Sequence, residues 1–117
     1  MLSFPSTVKV FACREPIDMR KSFDGLCGCV QQQLGADPLS GHLFAFFNKR
    51  ATMVKVLLWD RTGFCIWFKR LEKGRFSIAS LNANGNAMEL PQLMLILEGM
   101  DLTGARQRKR YRLTSAA

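Results

Sequence analysis

The stretch "LLWDRTGFCIWFKRLEKGRF", Leu57 to Phe76, decides the fold, because it reads as two apolar strands joined by a four-residue polar turn. Asp60 and Gly63 in "DRTG" suit a type I turn ending in a left-handed glycine. With period two, Phe64, Ile66, Phe68 and Arg70 fall on one face of the second strand, and Cys65, Trp67, Lys69 and Leu71 on the other. On the first strand, Val54, Val56 and Leu58 share an apolar face, while Met53, Lys55, Leu57 and Trp59 share a mixed one. The expectation is one core face. The opposite face would mix Trp59 and Trp67 with Lys55, Lys69 and the loop cations Lys49, Arg50 and Arg61. The same stretch also packs Lys69, Arg70, Lys73 and Arg75 into seven residues.

Working outward, "HLFAFF" precedes "MVKVLLW" with only "NKRAT" between them, a second hairpin signal. "TVKVFA", Thr7–Ala12, alternates and reads as a further strand. "DMRKSFDGLCGCVQQQL" reads as a helix capped by Asp18, with Met19, Phe23, Leu26, Cys27, Val30 and Leu34 on its buried stripe. Residues 77–88 are turn-rich and read as loop. "ELPQLMLILEGM" reads as a short helix with Pro91 in its first turn and Gly99 closing it. The predicted fold is α+β. It has an antiparallel sheet of three to four strands, a helix at about 18–34, a short helix at about 89–98 that closes an edge or meets a partner, and a basic C-terminal tail. Residues 1–104 form the single expected domain, and 105–117 a disordered tail.

Seventeen basic against nine acidic residues give a formal charge of +8, and the excess is localised. Residues 43–76 hold eight basic and two acidic residues, and 99–117 five basic and one acidic. Such clustering favours a polyanionic partner. In the hairpin the candidate DNA contacts are Lys49, Arg50, Arg61, Lys69, Arg70 and Arg75. In the tail they are Arg106, Arg108, Lys109, Arg110 and Arg112. Trp59, Trp67, Leu93 and Leu97 are the candidate partner contacts, since the 89–98 helix is apolar nearly all round.

Other classes are disfavoured. Four cysteines at 13, 27, 29 and 65 include no C-x-x-C pair, and His42 is the one histidine, so no zinc spacing occurs. All four read as reduced thiols of a cytoplasmic protein. No apolar run has membrane-spanning length and no signal peptide is seen. Phosphate-loop, dinucleotide and metalloprotease motifs are missing. No cofactor or metal is expected. His42 reads as a structural or surface residue, Asp18 as a cap and Asp60 as a turn residue. A metal-dependent nuclease built on Asp18, Asp24 and Asp60 is therefore a distant third reading.

Four ordered blocks carry a resemblance: "DMRKSFDGL" at 18–26, "DPLSGHLFAF" at 37–46, "KVLLWDRTGFCIWFKRLEKGRF" at 55–76 and "QLMLILEGMD" at 92–101. From about Val8 to Asp101 the chain resembles the Orf2-like (TnpB) accessory proteins of the insertion-sequence sixty-six family of bacterial transposons. It departs from the family pattern at Ile78 and Ala79, where Trp-Pro is expected. The resemblance implies a companion of a separate transposase and brings no catalytic residues. The leading expectation is a non-enzymatic factor that binds DNA, at transposon ends or non-specifically, through the hairpin face and the tail. The alternative is a module that binds the transposase through the 89–98 helix without contacting DNA itself.

Overall fold

The computed structural model describes residues 7–78 and 88–98, together with the backbone of two short strands beyond them. In chain order the elements are β1 (Lys9–Ala12), α1 (Phe23–Gln33), β2 (Leu43–Phe47), β3 (Met53–Trp59), β4 (Phe64–Arg70), β5 (Met88–Glu89), α2 (Leu90–Leu97), β6 (Met100–Asp101) and β7 (Arg106–Gln107). The class is α+β, but the main sheet is mixed, not antiparallel. Its order is β4-β3-β2-β1-β5, and β1 pairs with β2 in parallel. The reason is the connection: α1 carries the chain from the end of β1 back to its start, so β2 must run the same way. The β2–β3–β4 meander is antiparallel as expected. β5, formed by the last residue of the segment read as loop and the first of the expected helix, adds a two-residue edge to β1.

Both sheet faces are covered. On one side Val10, Ala45, Val54, Val56 and Leu58 pack with Leu93, Ile96 and Leu97 of α2. On the other, Phe44, Phe46 and Leu57 pack with Leu26, Cys29 and Val30 of α1. This explains why all five residues of "LFAFF" are buried and why they do not alternate, since a central strand covered twice needs apolar groups on both faces. The expected single core face is thereby corrected. The register pairs Lys55 with Phe68 and Val56 with Trp67, so Trp67 and Lys69 lie on the α2 side, Trp59 and Lys55 on the α1 side. No single mixed face exists. α2 is a face-covering helix held at its start by a reciprocal capping box between Glu89 and Gln92.

α1 starts at Phe23, later than expected, with Ser22 and not Asp18 at the N-cap. The groups that would begin a longer helix are engaged elsewhere. Asp18 Oδ1 accepts the Arg20 backbone N–H at 2.8 Å, closing a local turn. The carbonyls of Met19 and Lys21 each accept from Lys55 Nζ at 2.7 Å. The buried stripe of α1 also differs, with Cys29 inside and Phe23 exposed. In the β3–β4 turn the left-handed residue is Arg61 (φ 54°), not Gly63.

Lys55 is 8% exposed, the one charged residue in the described core, and its ammonium lies 4.9 Å from the centre of the Phe68 ring. Replacing it with Met should lower the stability in urea unfolding by about 1–3 kcal/mol, because two carbonyls lose their donor. An unchanged midpoint would mean that water serves those carbonyls equally well.

Candidate nucleic-acid interface

The sheet topology gathers three connections at one end. β1 and β2 finish there, β3 begins there and β4 finishes there. Backbone bonds tie the connections together. The Ile17 N–H donates to Phe47 O at 3.0 Å, Leu71 N–H to Thr52 O at 2.8 Å, and Phe76 N–H to Ala51 O at 2.7 Å. The segment after β4 thus lies beside the β2–β3 turn. That turn is shaped by Asn48, whose Oδ1 accepts from the N–H groups of Thr52 and Met53, and by Ala51 at φ 57°. Gly74 (φ 80°) makes the matching bend after β4, a left-handed position that glycine adopts without strain.

The result is a basic end. Lys49 and Arg50 come from the β2–β3 turn, Arg70, Lys73 and Arg75 from the segment after β4, and Arg20 and Lys21 from the connection into α1; all are exposed. Two of these are paired: Arg70 Nη2 lies 2.8 Å from Glu72 Oε1, and Arg20 Nη2 lies 2.6 Å from Asp18 Oδ2. Lys49, Arg50, Lys73 and Arg75 enter no ion pair among the described residues. Four unpaired cations on two adjoining turns can each meet a phosphate oxygen.

Not every expected contact belongs to this group. Arg61 sits in the turn at the far end of β3, about 20 Å away for a seven-residue strand. Lys69 Nζ donates to Leu97 O at 3.1 Å, a cation closing the C-terminus of α2. Arg106 begins β7, paired with β6 through Asp101. Its side chain and residues Arg108, Lys109, Arg110 and Arg112 lie outside the described residues, as does most of the expected tail. Lys73 belongs with the basic end although the list of sequence candidates omits it. Its signal was the "KGR" spacing, which sets it on the same bend as Arg75.

The apolar candidates divide as well. Leu93 and Leu97 face the core at 1% and 6% exposure, whereas Met94 and Leu95 face outward. Trp59 is half-buried, packed edge-on against Phe64 at 5.0 Å. Trp67 is exposed beside a pocket of about 340 Å³ between β4 and α2, which Leu58, Leu90 and Met94 also line, with Lys69 and Glu98 charged in its wall.

His42 Nδ1 accepts the Lys9 N–H at 3.0 Å, and its ring meets Phe11 edge-on. All four cysteines are free, and burial pushes the Cys13 and Cys27 thiols up. Among the described residues no cluster of His, Cys, Asp and Glu could hold a metal ion, and no helix is long and apolar enough to cross a membrane.

A family model described as IS66 Orf2-like protein matches residues 8–107. The chain belongs to that family. It is a family of insertion-sequence accessory proteins, associated with transposon machinery. Two proteins of Sinorhizobium fredii (strain NBRC 101917 / NGR234) are similar. Uncharacterized protein y4hO is 36% identical over 101 residues, covering 86% of this chain and 88% of its own length. Uncharacterized protein y4jC is 28% identical over 110 residues, covering 94% of each. No solved structure matches.

Several motif positions behind the family resemblance turn out to build the basic end. Phe76 is buried edge-on against Phe47 at 5.7 Å and anchors the segment after β4. Asp18 and Arg20 close the turn before α1, and the Arg20 guanidinium holds the Asp18 carboxyl down at about 2. The stability this pair contributes is present above the ordinary carboxylate value of 3.8 and is lost as pH falls through about 2. In a carboxyl-resolved NMR titration, Arg20→Ala should return Asp18 towards 3.8. A midpoint that stays near 2 in the variant would assign the shift to another donor.

Proposed function

We propose that this chain is a non-enzymatic accessory factor of insertion-sequence transposition that binds DNA through the basic end of its sheet. The observation that carries this reading is the set of four unpaired cations, Lys49, Arg50, Lys73 and Arg75, on two turns fastened to each other by backbone bonds. Cations held this way cannot spread apart, so they suit a ligand whose negative charges are closely and regularly spaced. Arg20, Lys21 and Arg70 extend the surface, and Arg106, Arg108, Lys109, Arg110 and Arg112 would add phosphate contacts from the C-terminal segment. The contacts are to the backbone of DNA, which supports binding at transposon ends and to other duplexes alike. The work would take place in the cytoplasm beside the element's transposase.

A second reading, in which the chain binds the transposase and not DNA, is favoured by the exposed Met94 and Leu95 beside the pocket at Trp67. Leu93 and Leu97 would serve it only indirectly, by holding α2 against the sheet.

Fluorescence anisotropy with labelled duplex across a salt series separates the two. With about six phosphates neutralised, log affinity should fall against log salt with a slope near −5. Replacing Lys49 and Arg50 together by Ala should flatten the slope by about 2, and replacing Lys73 and Arg75 should do the same. Arg61→Ala should leave it unchanged. Binding that ignores salt and both double variants would overturn DNA contact by this end. Retained transposase capture, lost on Met94→Lys, would then select the second reading.

A further inference from the structure

Phe68 stands on the α1 side of β4, opposite Lys55 in the register. The Lys55 ammonium lies over one face of its ring at 4.9 Å and also donates to Met19 O and Lys21 O. One buried atom thus draws the β4 ring and the start of the α1 crossover together. The other face of the ring is left to solvent, and Phe68 is 52% exposed. Phe23, the first residue of α1 and two residues after Lys21, is 44% exposed. A single exposed aromatic is ordinary. Here two stand among cations, with Arg20 and Lys21 on the crossover and Arg70 two residues after Phe68 on the same face of β4, all three exposed.

We infer, resting on the DNA-binding reading of the basic end, that Phe68 is a stacking platform for an unpaired base of the DNA held there, with Phe23 as a second ring on the same flank. In a duplex each base is covered on both faces by its neighbours, so an aromatic side chain gains a base where the strand is unpaired. Phe47 and Phe76, the other rings at this end, are buried, so stacking belongs to the α1 side. Lys55 draws the ring's electron density inward and leaves the outer face suited to an electron-rich base.

The cations around the ring fit the phosphates that flank such a base. Arg20 and Arg70 bond Asp18 and Glu72 through Nε and Nη2, so Nη1 of each has no partner among the described residues. Lys21 enters no ion pair among them. An apolar protein segment laid on Phe68 would leave these charges unmatched. A single strand supplies both a flat ring and the phosphates on either side of it.

Fluorescence anisotropy with the full chain tests this on three labelled probes: a duplex, the same duplex with a short single-stranded extension, and that extension with abasic sites in place of its bases. The base-bearing extension should bind about tenfold more tightly than the abasic one, which offers the same phosphates. Phe68→Leu keeps an apolar cover over Lys55 but has no flat face. It should bring the two extensions to equal affinity while duplex affinity and its salt slope stay unchanged, and Phe68→Tyr should restore the difference. Iodouracil placed in the extension should crosslink to Phe68 on irradiation, which locates the base in the native chain even if Phe68→Leu unfolds. Equal binding of the two extensions, a difference that survives Phe68→Leu, or a crosslink confined to other residues would overturn the platform. Steep salt dependence kept on the duplex in those cases would leave DNA binding by the basic end standing, whereas binding indifferent to salt on every probe would overturn both.

Discussion

The Lys55 ammonium is the point on which the arrangement depends. Burying a cation in a sheet face is unfavourable unless donors find acceptors, and here the acceptors are supplied by a segment thirty-four to thirty-six residues earlier in the chain. Met19 O and Lys21 O accept from Nζ, and the Phe68 ring covers the charge from the neighbouring strand. The crossover from β1 is thus pinned to β3 and β4 just before α1 begins. A helix continuing back to Asp18 would have consumed those carbonyls in its own ladder. The late start of α1, the tight turn at Asp18–Arg20 and the position of Arg20 and Lys21 at the basic end all follow from this one buried donor.

Legibility in the sequence followed the range of the interactions. The β2–β3–β4 meander was readable because short turns and period-two patterning are local, and α2 was readable from Pro91 and the apolar run behind it. The parallel β1–β2 pair was not, although its elements were each anticipated. Nothing in "TVKVFA" or "HLFAFF" states a neighbour, and the apolar continuity of "LFAFF" gains its meaning only once helices are known to cover both faces. Lys55 misled for a similar reason. Period two correctly set it opposite the apolar face of β3, but whether that other face met water or α1 was a tertiary fact. The hairpin glycine misled on a smaller scale, since the left-handed conformation went to Arg61 (φ 54°), one residue after Asp60.

The candidate site shows the same division. The sequence located the cationic excess in residues 43–76 but could not sort its members. Topology does that. Lys69 is spent on the C-terminus of α2, Lys55 on the crossover, and Arg61 lies at the opposite end, while Lys49, Arg50, Lys73 and Arg75 converge. The motif residues do the converging: Gly74 bends the chain, Phe76 anchors it in the core, and the backbone bonds to Ala51 and Thr52 set the two turns side by side. In this chain those residues serve mainly to hold a basic surface in shape.

Holding like charges together costs stability, because exposed cations closer than about 8 Å repel through physiological salt. The fold offsets part of this with Asp18 and Glu72, each given to one arginine, and leaves the remaining five, Lys21 among them, unrelieved by an ion pair among the described residues. A partner that supplied negative charge would remove the residual repulsion on binding. The opposite end of the sheet has a different balance: Lys9 is paired with Glu89, and Arg61 stands beside Asp60. That asymmetry gives the chain a direction.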